Sequence, residues 1–362
     1  MKLVLLGDIA LIGNASRDGK NNYIEYYREV ANYLATADYV VGNLESPFSI
    51  EKRRVAAKSV YLCSEPHNVD ILKMLNLSAV TLANNHMFDY GKEGYEVTKK
   101  LLETNKIDWF GTEGKELVVD IEGNKLAFSG FCCYSSNPPG CVRYGKYGVN
   151  EFNMFQVPAV LEKYKNKGRL NIMAVHAGIE HTNYPDRLLV DAAHNIADKY
   201  DVIYYGHHPH VSQGLEKYKK SLIAYSLGNF CFDDTYLPGC KKPFVELTED
   251  NRKSFILEIV IEDNKIVSYR TIPIYIGRDR LYMGKGTTNE ELSAYTECIN
   301  KMTRDEYQAM RKGQRQKWIN ERIKKRNLWW YLSRLRLRYI RLFMSNRRNA
   351  KLYQQSFLDY FK

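Results

Sequence analysis

The sequence predicts an α/β fold. Short apolar runs recur along the chain with the character of buried parallel strands, separated by longer segments of helical period. Several of these runs also end on a side chain able to bind a metal. KLVLLGD ends at Asp8, DYVVGNLE at Asn43 and Glu45, and AVTLANNH at Asn85 and His86. NIMAVHAGIEH brings His176, Glu180 and His181, and DVIYYGHHPH brings His207, His208 and His210. Open α/β sheets hold ligands just beyond the carboxyl ends of their strands. Five such junctions point to a metal-dependent enzyme.

In order, the apolar runs predict strands over 2–7, 38–42, 79–83, 107–110, 125–131, 170–175, 201–205 and 222–227. Between them, 22–36 places Ile24, Tyr27, Val30, Ala31 and Leu34 on one helical face. Segments 66–76, with Pro66 near its start, 92–105 and 186–200 read as further helices. Runs 254–261 and 265–274 flank Glu262–Asp263–Asn264 and predict an antiparallel hairpin. Segment 132–150, rich in Gly, Pro, Ser and Tyr, reads as a loop bordering the site.

The net charge of +11 is unevenly placed. Residues 1–280 carry 34 Lys+Arg against 35 Asp+Glu, whereas residues 281–362 carry 19 against 7. The expected division is therefore an enzyme body over 1–280 and a basic helical extension over 281–362. A neutral body lacks the positive face of a nucleic-acid binder. Seven cysteines at irregular spacing give neither a zinc motif nor a disulfide framework and suggest a reducing compartment. MKLVLLGD is too short an apolar run for a secretory signal, and no run reaches the ~18 residues of a spanning helix. The expected location is the cytoplasm, with peripheral contact at the inner membrane face.

Carboxylate and amide oxygens suit hard cations, and imidazole suits zinc, iron and manganese. A mixed set from several strand ends is a natural hydrolase centre, in which two metals ~3.5–4 Å apart hold both oxygens of an in-line displacement. In series, GDIALIG, GNLESP, LANNHMFDYG, HAGIEH, YGHHPHVSQGLE and AYSLGNF resemble the CapA/PgsA-type poly-gamma-glutamate capsule synthesis family. That family belongs to the calcineurin-like metallophosphoesterase superfamily, and the likeness spans roughly residues 1–275. It implies a layered α/β/β/α sandwich and one or two divalent ions (Mn, Fe, Zn or Mg). By the resemblance, Asp8, Asn85, His176, His208 and His210 are metal ligands. Asn43 or Glu45 stands where the superfamily has a bridging Asp, and His86 assists the leaving group. Ala10 occupies the position of the superfamily's first-motif His.

Glu180, four residues after His176, reads as a group orienting water or a ligand, or as a solvated loop carboxylate. His86 has the competing role of a helix cap, and Asn229 that of packing. His67, His181 and His194 read as structural or surface residues, with His181 the leading exception. The function these expectations favour is a hydrolase of a phosphoester or related bond in capsule, poly-gamma-glutamate or other cell-surface polymer production. A non-catalytic scaffold for polymer or synthase subunits and a gamma-glutamyl amide hydrolase are the alternatives. In the tail, Leu328, Tyr331, Leu332, Leu335, Tyr339, Leu342 and Phe343 share one helical face, beside Arg334, Arg338 and Arg341. With Trp329 and Trp330 at its start, residues 328–344 suit a membrane surface, a protein partner or the enzyme body.

Overall fold

The computed structural model describes the chain except for residues 51–53, 55–57, 59, 137–140, 143–147, 237–241 and 325–336. Its first half runs β1 (Lys2–Ile9), α1 (Tyr23–Leu34), β2 (Tyr39–Leu44), α2 (Val69–Met74), β3 (Ala79–Thr81), α3 (Gly91–Thr104), β4 (Asp108–Phe110), β5 (Leu117–Ile121), β6 (Asn124–Cys132), β7 (Cys141–Val142) and β8 (Val149–Asn150). There follow α4 (Val157–Lys165), β9 (Leu170–His176), α5 (Arg187–Lys199), β10 (Val202–His207), β11 (Leu215–Tyr218), β12 (Ser221–Ala224) and β13 (Asn229–Cys231). The chain closes with α6 (Glu249–Arg252), β14 (Lys253–Glu262), β15 (Lys265–Ile276), β16 (Leu281–Met283), α7 (Asn289–Lys301), α8 (Arg304–Lys324) and α9 (Leu337–Asp359).

Two sheets face each other. One has the order β16-β15-β14-β1-β2-β3-β4 with β13 also paired to β1, and the other β11-β12-β10-β9-β6-β5. Strand alternation divides the apolar residues between layers. In β1, Leu3 and Leu5 enter the core between the sheets while Val4 and Leu6 face outward under helices. In β9, Ile172 and Ala174 point inward, and Met173 and Val175 meet the opposite helical layer. Three cores therefore separate four layers. This is the expected α/β/β/α sandwich, and burial on both faces explains why the strands read as continuous apolar runs.

Local chemistry sets the element ends. Asn22 caps α1 by accepting from the Ile24 amide at 3.0 Å. The α1 face is shifted from the expected one. Ile24 is exposed, and Tyr26 is buried instead, with its hydroxyl donating to the Gly277 carbonyl at 3.1 Å. The β14–β15 hairpin turns on Asp263 and Asn264 at φ 49° and 59°, the left-handed pair of a two-residue turn. The strand expected over 222–227 ends early, and a second one follows it. β12 ends at Ala224, Gly228 turns at φ 76°, and β13 joins the other sheet beside β1. Strands β5, β11 and β16 lay outside the sequence reading because they are short and alternate weakly.

The C-terminal helices pack on the second sheet's outer layer. Ile299, Tyr307 and Phe357 share one core with α4 and α5. The Phe357 ring lies 5.5 Å from that of Tyr134 and 5.7 Å from that of Phe152. Leu328 to Leu335 of the aromatic–arginine segment lie outside the described residues. Among the described residues, no helix is long and apolar enough to cross a membrane. Because Phe357 is buried, Phe357→Ala is expected to lower unfolding free energy by about 3 kcal/mol in urea titration. An unchanged midpoint would mean that the last helix adds nothing to the body.

Candidate metal centre

Parallel pairing of β1, β2 and β3, and of β9 and β10, aligns their carboxyl ends. Close backbone approach makes this possible at two glycines. A Cβ on Gly7 would lie 2.0 Å from the Gly228 carbonyl oxygen, and one on Gly206 would lie 1.9 Å from that of Tyr225. Each glycine immediately precedes a site residue, Asp8 or His207.

Asp8 and Glu45 are both fully buried, so their charges need local partners. Asp8 accepts from Asn43 Nδ2 at 2.8 Å and from the His208 amide at 3.2 Å. His207 Nδ1 lies 3.0 Å from Asp8 Oδ1, and His210 Nδ1 lies 3.3 Å from Oδ2. Glu45 Oε1 lies 3.7 Å from His210 Nε2, 3.8 Å from His176 Nε2 and 4.0 Å from His86 Nε2. Among the described residues, neither Glu45 oxygen has a hydrogen-bond partner, nor does His208 Nδ1. Candidate ligand atoms of Glu45, His208 and His210 all lie within 4.8 Å of one another.

These orphaned buried atoms and the mixed oxygen–nitrogen set fit a divalent cation. The orientation of His210 fits as well. Its Nδ1 faces Asn229 Oδ1 at 2.9 Å, leaving Nε2 toward Glu45. Burial pushes Glu45 up to about 8, with His210 pulling the other way. Burial also lowers His208 to about 3, which keeps its ring neutral and able to ligate. His176 falls well below its ordinary value through burial and the neighbouring His208. For His210 burial is outweighed by Glu45 and Asp8, which raise it to about 10. Asp8, which burial alone would raise, is held low by His207 and His210.

The other expected residues fall around this cluster. His176 Nε2 lies 2.9 Å from Asn85 Oδ1. Asn43 is a hydrogen-bond hub: its amide nitrogen reaches Asp8 and, at 3.3 Å, His176 Nδ1, and its oxygen accepts from Asn84 Nδ2 at 3.2 Å. Of the second-motif pair, Glu45 is the one with open oxygens. Glu180 is partly buried in the loop after β9, and its charge acts on Glu45, His208 and His210. His208 and His210 take φ 95° and 57°, unusual backbone for side chains other than glycine.

Three further side chains position His86. Asn84 Oδ1 accepts from the His86 and Met87 amides at 3.1 and 3.0 Å, fixing the turn that aims Asn85 and His86. Asp89 Oδ2 lies 2.7 Å from His86 Nδ1. Lys58 Nζ lies 2.9 Å from both His86 Nδ1 and Asp89 Oδ1 and donates to the Asn85 carbonyl at 2.7 Å. The Asp89 amide donates to the His86 carbonyl at 2.9 Å and closes the turn that follows it. Lys58, in the basic stretch KRRVAAKS, has no spacing that marks it out. Burial and the Lys58 charge lower the His86 pKa, with Asp89 opposing.

Residues 2–234 match the family model of the bacterial capsule synthesis protein PGA_cap. The chain belongs to this family. Every expected site residue of this PGA_cap member lies within the match, and α6 to α9 lie beyond it. It is 27% identical over 300 residues to the capsule biosynthesis protein CapA of Bacillus anthracis, covering 78% of this chain and 72% of that protein. It is 29% identical over 230 residues to the PGA biosynthesis protein CapA of Bacillus subtilis (strain 168), covering 59% and 58%. Among solved structures, the Haemophilus influenzae NAD nucleotidase (NadN) superposes with a TM-score of 0.43 at 15% identity, covering 90% of this chain and 60% of that one.

The Lys58–Asp89 pair is nearly closed off from solvent. Asp89→Asn, which leaves the ammonium unbalanced, should cost about 3 kcal/mol of stability. Adding Lys58→Met should recover much of that loss, and additive losses in a double-mutant cycle by denaturant titration would contradict the pairing.

Proposed function

We propose that this PGA_cap-family protein is a metal-dependent hydrolase of a phosphoester or related bond, acting in capsule, poly-gamma-glutamate or other cell-surface polymer production. The observation that carries the reading is Glu45, whose buried oxygens have no hydrogen-bond partner among the described residues, with one of them within 4.8 Å of His208 and His210 nitrogens and His86 4.0 Å away. Asp8, Glu45, Asn85, His176, His208 and His210 would hold one or two divalent ions, with Asn43 fixing Asp8 and His176. A bound cation there supplies Lewis-acid chemistry, lowering the pKa of a water and offsetting phosphoryl charge.

The rest of the work falls to the chain's own side chains. Asp89 accepts from His86 Nδ1–H, which leaves Nε2 facing the cluster as the atom of proton exchange. An entering dianionic phosphoester favours the protonated imidazole. His86 then passes its Nε2 proton to the leaving oxygen. Lys58 holds Asp89 and the Asn85 carbonyl, which fixes the carboxylate that orients the His86 ring. Glu180, at the partly buried rim, orients the attacking water or a ligand.

A scaffold reading draws on Ala10 and on the neutral Asn43, which together leave fewer anionic oxygens for a first ion. The proposed partners are an anionic polymer or phosphoester substrate and polymer-synthase subunits. The helix beginning at Leu337 exposes Ile340, Phe343 and Met344, which suits a peripheral contact at the inner membrane face.

With p-nitrophenyl phosphate and Mn, Mg, Zn or Fe, wild-type turnover is expected, and His86→Asn should lower kcat by about 10²–10⁴ with bound metal unchanged. Cleavage of a gamma-glutamyl peptide but not the phosphoester would move the reaction to the amide. Turnover of neither would leave the scaffold.

A further inference from the structure

A second recess adjoins the metal cluster, and the C-terminal helices help to build it. It has a volume of about 290 Å³ and is lined by His181, Phe244, Thr248, Trp318, Glu246 and Glu321 among others. His181 connects the two sites. Its ring centroid lies 6.5 Å from that of His210, and the ring stacks on Trp318 at 4.9 Å and 27°. His181 Nδ1 also lies 3.0 Å from Asn251 Oδ1, while Asn251 Nδ2 donates to the His210 carbonyl at 2.9 Å. The recess wall and the ligand loop are thus tied through one side chain. His181 holds φ 59° and donates its amide to the Pro209 carbonyl at 2.8 Å, which ties its backbone to the ligand loop.

Resting on the phosphoester reading above, we propose that this recess is the subsite for the group carried by the scissile phosphate, and that the group is an uncharged, hydroxyl-bearing ring. The volume lies at the lower edge of the small-molecule range and admits one ring rather than a polymer segment. Trp318 and Phe244 bring flat apolar faces to the recess, and the Glu246 and Glu321 carboxylates lie around them. Carboxylates accept strong hydrogen bonds from hydroxyls. The same two carboxylates repel a polyanion, which places a run of glutamate carboxylates elsewhere. Trp318 and Glu321 belong to α8, outside the matched family segment, so the extension determines substrate choice in this chain.

The test is binding to the full chain by isothermal titration calorimetry, with Mn present throughout. The probes are inorganic phosphate, glucose 1-phosphate, a nucleoside 5′-monophosphate, methyl glucoside and a gamma-linked glutamate oligomer. The expected result is that at least one ring phosphate binds about tenfold more tightly than inorganic phosphate. Trp318→Ala should remove that margin and leave inorganic phosphate affinity unchanged. Glu321→Gln, an exposed and mild change, should reduce the margin in part. The sugar and nucleotide arms show which ring is preferred.

Equal affinities for ring phosphates and inorganic phosphate would overturn the subsite, as would tighter binding of the glutamate oligomer or a Trp318→Ala effect on every probe alike. Loss of all phosphate binding with methyl glucoside still held through Trp318 would keep the ring subsite and remove the phosphoester reading.

Discussion

Two carboxylates buried in one place are the constraint on which this site turns. Asp8 and Glu45 have no solvent to carry their charge, and His207, His210 and His176 are the groups brought against them. Desolvating a carboxylate costs several kcal/mol unless positive charge or hydrogen-bond donors replace water. Asp8 has both kinds of partner. Glu45 has imidazole nitrogens only at 3.7–4.0 Å, too far for hydrogen bonds. A cation among Glu45, His208 and His210 would resolve that imbalance, and the close-packed glycines, left-handed histidines and Asn84 turn all position these groups.

That architecture was largely legible in the sequence because each of its causes is local. A strand buried on both faces must be apolar throughout, so β1, β9 and β10 stood out. The polar residue ending such a strand breaks the pattern, and Asp8, His176 and His207 were visible for that reason. The two-residue β14–β15 turn announced itself through Asp263 and Asn264.

What stayed hidden depends on distant parts of the chain meeting. Lys58 reaches His86 and Asp89 across 28 and 31 residues, and no periodicity encodes that contact. Nor does the sequence say which of Asn43 and Glu45 keeps its oxygens free. The answer lies in Asn84 taking the Asn43 carbonyl. Ile24 reads as core by helical period, but period alone does not fix where the buried face ends, and it extends to Tyr26 rather than to Ile24. Charge marks the tail as a basic extension but leaves its placement open; the structure sets Ile299, Tyr307 and Phe357 in the outer core and stacks Trp318 on a histidine beside the cluster.

The most direct test of the central claim is the metal content of the purified full chain by elemental analysis, beside that of a His208→Ala/His210→Ala variant. The account predicts about one or two equivalents of a divalent metal in the wild type, largely lost in the variant. A wild-type protein that holds no metal after incubation with Mn or Zn would contradict it.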